Sequence, residues 1–281
     1  MARLKVAYFG YDFFYKCLEH LCLVDNVDVG AVFTFETDDY YNFNSYIKKL
    51  VKEYSIELKE TKITSKEIDK LVDEGYDLII SAGYPYKIPI NANIKGINIH
   101  PTLLPDGKGP WPLPYIILNN QKQSGVSIHK LEDELDSGSI LINKSFDVRD
   151  DEDLETLSIK SQLIALELIE KLFENFEDYY QNAKPQTRKG TYLEFPKEKQ
   201  MSIFWDMDVD EISKVYRAFG NMDCCFILEN KHWLTNNLVC WKEKHNYTNG
   251  YVVHKTNKEL LIAVRDGYVC IKFYKRDSDY E

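Results

Sequence analysis

Short apolar runs alternate with helix-periodic stretches through the first half of this chain, and that order limits its fold more than any other feature. Leu4–Phe9 predicts a strand ending at Gly10, with Asp12 placed to cap the next helix. In that helix Phe14, Leu18, Leu21 and Cys22 recur at helical spacing. Val27–Phe33 predicts a second strand; Asn44–Tyr54 and Ser65–Glu74 predict helices. Asp77–Ser81 (DLIIS) and Ile97–His100 are short and apolar, the pattern of strands buried on both faces of a parallel sheet. Gly125–Leu131 and Ile140–Val148 add strands, and Asp151–Tyr180 predicts one long amphipathic helix. The expected class is α/β, with ligands held beyond the carboxyl ends of the strands.

The pattern changes after Gln181. Asn182–Gly190 (NAKPQTRKG) is polar and carries Pro and Gly, as a linker does. Beyond it, Asp208–Phe219 predicts a helix, and Cys224–Tyr274 a series of short strands with turns at Asn230, Asn236, Asn249-Gly250 and Asp266-Gly267. The expected organisation is an α/β domain over 1–183, a linker over 184–200 and a smaller β-rich domain over 201–281.

With 281 residues, 44% of them hydrophobic and 28% charged, the chain suits a globular protein with a sizeable core. No apolar run nears the roughly twenty residues of a membrane span. Met1–Lys5 leads straight into VAYFG without a signal-peptide core, so a cytoplasmic location is expected. The six cysteines show no CxxC spacing, and the six histidines are scattered without HExxH. Reduced thiols and no metal are expected. A formal charge of −10 argues against a protein that grips a long stretch of nucleic acid.

The chemistry concentrates in Gly96–Pro112 (GINIHPTLLPDGKGPWP) and in Asp136-Ser137-Gly138. Alternate strand residues share a face, so Asn98 and His100 project together while Ile97 and Ile99 face the other way. An amide, an imidazole and a carboxylate converging on one crevice can run acyl transfer. Asn98 and His100 would stabilise the oxyanion, and Asp136 would orient the imidazole and accept a proton from an attacking amine. No nucleophilic Ser or Cys is then required. His129, mid-strand among apolar neighbours, reads as a hydrogen-bonded structural residue.

The pattern N-I-H-P-T-L-L-P, G-P-W-P, then G-V-S-I-H and L-D-S-G-S-I-L resembles the folate-dependent formyltransferases. The family's Asn-x-His and Asp-x-Gly match Asn98, His100 and Asp136; Thr102 stands where Ser is common, and Lys108 at a usual basic position. The resemblance implies a Rossmann-like formyltransferase domain with a β-rich C-terminal domain, and N10-formyltetrahydrofolate as formyl donor with no metal. It also implies a homodimer, and a pterin loop at Ser81–Pro89 with Tyr84, Tyr86, Lys87 and Ile88 beside Asp136 and Gly138. Among the residues themselves, Trp111 is a candidate wall of the acceptor site, Lys87, Arg188, Lys189 and Arg217 are candidates for diphosphate contact, and Lys108 is a further substrate-binding candidate. Gly-Tyr-Asp near the start, Tyr-Pro-Tyr-Lys-Ile-Pro and Gly-Pro-Trp-Pro look most like the sugar N-formyltransferases, so the expected acceptor is a dTDP- or UDP-linked amino sugar. A methionyl-tRNA formyltransferase, with its own C-terminal domain, and a formyltetrahydrofolate hydrolase are the alternatives. The acidic sequence weighs against tRNA. One Gly among bulky neighbours after the first strand weighs against a phosphate-cradling purine enzyme.

Overall fold

The structure, a computed structural model, describes residues 3–37 and 42–276. These divide into two compact units, one of 1–112, 123–147 and 158–193, the other of 113–122, 148–157 and 194–281.

The first unit is built on β1 (Leu4–Gly10), β2 (Val27–Thr34), β3 (Glu57–Glu60), β4 (Leu78–Ala82), β5 (Lys95–His100), β6 (Gln123–Lys130) and β7 (Ile140–Asp147). They form one sheet in the order β3-β2-β1-β4-β5-β6-β7. The strands from β3 to β5 run parallel, while β6 and β7 pair antiparallel. The expected α/β class is therefore met by a mixed sheet. Alternation along β1 sends Val6 and Tyr8 into one apolar cluster and Ala7 and Phe9 into the other. The first cluster takes Cys17, Leu18 and Leu21 from α1 (Tyr15–Leu23) and Ile47, Leu50 and Val51 from α2 (Ser45–Glu53). Ile68 and Leu71 of α3 (Ser65–Asp73) fill the second. Each such fully buried aliphatic side chain contributes about 1.5–3 kcal/mol relative to exposure.

Asp12 caps a different helix from the one expected. Asn44, at the N-cap of α2, turns its side chain inward to bond Thr34 and the Phe35 carbonyl. Asp12 fills the vacancy from 34 residues away, accepting from the N–H groups of Tyr46 and Ile47 at 3.1 and 2.9 Å. Asp12→Ala is expected to lower stability by about 1 kcal/mol, seen as a lower urea midpoint at unchanged slope. An unaltered midpoint would mean that water serves the first turn of α2 equally well.

In the second unit, α4 (Leu113–Leu118) packs on α8 (Val209–Phe219). The buried Leu113, Ile116 and Ile117 explain why this segment leaves the first unit, against the expected contiguous 1–183. The predicted helix over Asp151–Tyr180 is two, α5 (Leu154–Glu174) and α6 (Phe176–Gln181), broken where Asn175 adopts φ −154° and ψ 64°. After α7 (Glu198–Met201) come β8 (Ser202–Ile203), β9 (Cys224–Leu228), β10 (Lys231–Lys242), β11 (Val252–Lys255), β12 (Leu260–Val264) and β13 (Gly267–Arg276). Their order is β11-β12-β13-β10-β9-β8, antiparallel except between β8 and β9. Asp208 and Glu211 form a capping box that starts α8 over this sheet. Among the described residues no helix is long and apolar enough to cross a membrane.

Candidate active site

Ile97 and Ile99 of β5 lie in the apolar core, which leaves Asn98 and His100 on the opposite face. Asn98 stands directly across the ladder from His129 of β6. Opposed residues of an antiparallel pair share a face, so His129 joins the polar cluster. It is hydrogen-bonded, as expected, but to the candidate site residue Asn98 itself. Asp136 completes the group from the loop between β6 and β7, at a positive φ of 54° that Asp tolerates better than most residues.

The hydrogen bonds fix each group's role. His100 Nε2 lies 2.8 Å from the Gly107 carbonyl, which can only accept, so Nε2 carries the proton and Nδ1 the lone pair. That Nδ1 is 3.6 Å from Asp136 Oδ1. His129 Nδ1 faces the Lys130 carbonyl at 2.8 Å, leaving its Nε2 to accept from Asn98 Nδ2 at 3.1 Å. Asn98 Nδ2 also donates to Asp136 Oδ1 at 3.2 Å, and the Gly109 N–H donates to Asp136 Oδ2 at 2.9 Å.

Burial sets the protonation states. His100 is only 4% exposed, and desolvation lowers its pKa below the ordinary 6.5 against the pull of Asp136. For Asp136, burial pushes the carboxyl up, but the pull of His100 in its protonated form and the Gly109 N–H outweigh it and hold the group below its ordinary 3.8. Near neutral pH the site is an ionised carboxylate beside a neutral imidazole with its lone pair open to protonation.

The surrounding loop is rigidly tied. Thr102 Oγ1 donates to the Asp106 carbonyl at 2.9 Å, and Ser127 Oγ bridges the Leu104 N–H and the Thr102 carbonyl at 3.0 and 2.8 Å. Residues 184–193, expected to belong to a linker, form a strap along the first unit instead. Lys184 and Ile140 exchange two backbone bonds of 2.8 Å, and Lys108 bonds Thr191 and Leu193 at 3.0 and 2.7 Å. Gln186 Nε2 donates to the carbonyls of Asp136 and Gly138 at 2.8 and 2.9 Å, holding the Asp136 loop by its backbone. The approach is close enough to demand glycine: a Cβ on Gly109, at φ 116°, would lie 2.0 Å from the Leu193 carbonyl oxygen.

The other predicted residues separate into two groups. Tyr86 is 38% exposed, Ile88 is buried, and Lys87 Nζ reaches within 4.0 Å of Asp133, so this loop lies beside the one carrying Asp136 and Gly138. Lys108 is buried in the strap contact and Trp111 is half-buried. Tyr84 is committed elsewhere: its hydroxyl donates to the Thr61 carbonyl at 2.7 Å and accepts from the Ile63 N–H at 3.0 Å. Arg188 makes a two-pronged ion pair with Asp106, and Arg217 donates to the Glu152 carbonyl at 2.7 Å within the second unit. Each of these arginines already has a strong partner in the chain itself.

A Rossmann-type sheet thus gathers an amide, two imidazoles and a carboxylate, a set of groups that suits acyl-type group transfer. A family model described as formyl transferase matches residues 25–169, just over half of the sequence, and the chain belongs to that family. It is 27% identical over 274 residues to a methionyl-tRNA formyltransferase of Finegoldia magna, covering 92% of this chain and 87% of that relative. Among solved structures, HypX from Aquifex aeolicus in complex with tetrahydrofolic acid superposes with a TM-score of 0.70 at 18% identity. That match covers 99% of this chain, which spans only 45% of HypX. An N-formyltransferase from Helicobacter canadensis, in complex with folinic acid and dTDP-3-aminofucose, gives 0.67 at 18% identity, covering 98% and 100% of the two chains.

These findings overturn the expected amino-sugar acceptor. Further curated relatives carry the methionyl-tRNA formyltransferase name at 26–35% identity, whereas the sugar enzymes share the fold at lower identity.

Proposed function

We propose that the chain transfers a formyl group from N10-formyltetrahydrofolate to the α-amine of methionyl-tRNA. The observation that carries the chemistry is the cluster of Asn98, His100, His129 and Asp136, with the lone pair of His100 Nδ1 turned toward an ionised carboxylate. The acceptor is supported by the names of the curated relatives, one of which matches over 92% of the chain. The acidic sequence still weighs against tRNA, but net charge describes the field of the whole chain, and the relatives' names outweigh it.

The folate would lie between Tyr86–Ile88 and the Asp136 loop, with its formyl carbon over Asn98. The neutral amine attacks that carbon, forming a C–N bond and an oxyanion, which an Asn98 N–H released from His129 stabilises. The amine's proton passes to His100 Nδ1, and the imidazolium so formed is paired with Asp136. As the bond from carbon to N10 breaks, that proton is available to the departing nitrogen.

A transfer assay decides the acceptor. Formyl-folate is supplied with methionyl-tRNA or with a panel of dTDP- and UDP-linked amino sugars, and products are read by mass spectrometry. Formylmethionine released from the tRNA, with no sugar modified, is expected. Formylation of a sugar alone would overturn the acceptor, and formate without an acceptor would point to a hydrolase.

A further inference from the structure

The β-rich unit contains a second chemically distinctive cluster. Glu198 from α7, Cys225 from β9 and His232 from β10 each turn one ligand atom to a common point, with those atoms all within 4.8 Å of one another. The ladder explains the meeting. His232 stands opposite Ile227, and Cys225 lies two residues from Ile227 on the same face, so Cys225 and His232 are diagonal neighbours. Spacing along the sequence matched no ligand motif, because strand pairing makes the cluster and adjacency does not.

We propose that Glu198, Cys225 and His232 form a binding site for Zn²⁺ or a similar borderline-soft divalent ion. Cys225 Sγ is 3.8 Å from His232 Nδ1. A tetrahedral zinc with Zn–S of about 2.3 Å and Zn–N of about 2.0 Å sets its sulfur and nitrogen about 3.6 Å apart, so this pair needs only a small adjustment, and the short α7 carrying the exposed Glu198 has to bring its carboxylate in. The donor set excludes the hard ions: a thiolate and an imidazole select zinc over magnesium or calcium. Three protein ligands leave a fourth position, and a cavity of 330 Å³ lined by the same three residues with Ser202, Ile203 and Phe226 adjoins it. Water or a small anionic ligand would complete the coordination there. The bound ion would tie α7 to the β9–β10 hairpin, a structural role separate from formyl transfer.

Cobalt(II) is the probe, titrated into the full-length, metal-stripped chain. One equivalent is expected to produce a thiolate-to-cobalt charge-transfer band in the near ultraviolet, displaced by Zn²⁺. Cys225→Ser should abolish the band, while Cys240→Ser, in the same unit, should leave it intact. Since Cys225 is buried, its variant could misfold, so Glu198→Gln and His232→Ala supply the independent arm. Each should weaken cobalt binding at least tenfold while circular dichroism stays native. Zinc should also raise the melting midpoint of the wild type and not of His232→Ala. Absence of the band in the wild type, its survival in Cys225→Ser, or unchanged affinity in both Glu198→Gln and His232→Ala would overturn the site.

Discussion

His100→Ala and Asp136→Asn are each expected to reduce kcat by about 10²–10⁴-fold, the range for loss of a positioned proton-transfer group. Both side chains are buried and small enough that the fold should survive, which circular dichroism and urea unfolding would check. Because the two act as one unit, the double variant should lose little more than either single one. The pH profile separates their chemistry from mere packing. Reaction requires neutral His100, and burial lowers its pKa, so activity should persist as pH falls through 6.5 and decline only below it. The stability sign agrees. The stability gained by burying neutral His100 is complete above 6.5 and erodes below it, and that from ionised Asp136 is complete above 3.8 and lost toward lower pH. In Asp136→Asn the acid limb should move to lower pH still, since the carboxylate that favours the imidazolium is gone. Wild-type turnover in His100→Ala would remove it as the proton acceptor.

Gly109→Ala is expected to be nearly as damaging, although the residue has no side chain to lose. At φ 116° an alanine is strained, at a cost of about 1–3 kcal/mol. Its methyl group would collide with the Leu193 carbonyl, which is backbone and cannot rotate away. Relief requires the strap to lift or the 107–109 loop to shift, and the second displaces the N–H that fixes Asp136 Oδ2. Turnover should fall by about 10²-fold, since small misplacements at a reacting centre carry such penalties. Hydrogen exchange at Leu193 should accelerate in parallel. Normal turnover with protected Leu193 would show that the loop absorbs the methyl group without moving the site.

Much of this architecture could be read from residue order. The apolar runs located every strand of the main sheet except β3, whose ELKE sequence is a charged edge with no apolar signal. The pairing of Asn98 with His100 required only strand periodicity. His129 needed one further step: placing Gly125–Leu131 antiparallel beside Ile97–His100 would have set it opposite Asn98. Gln186 offered no such signal. Its role depends on the path of a polar segment across the surface, and composition made that segment look like a tether. Nor does a basic side chain near a motif reveal its neighbours: the ion pair of Arg188 with Asp106 joins residues 82 apart in the chain.

The strap has a consequence for the newborn chain. Gln186 follows Asp136 by 50 residues, and Thr191 and Leu193 follow later still. At about 5–20 residues per second, a ribosome delivers Gln186 roughly 3–10 s after the carboxylate it secures. Through that interval the emerging sheet can assemble, yet the loop bearing Asp136 lacks its last fastening. The candidate site thus receives its last fastening well after its side chains are made, and a truncated product released by premature termination near residue 183 would carry Asn98, His100, His129 and Asp136 in a loosely held loop cluster.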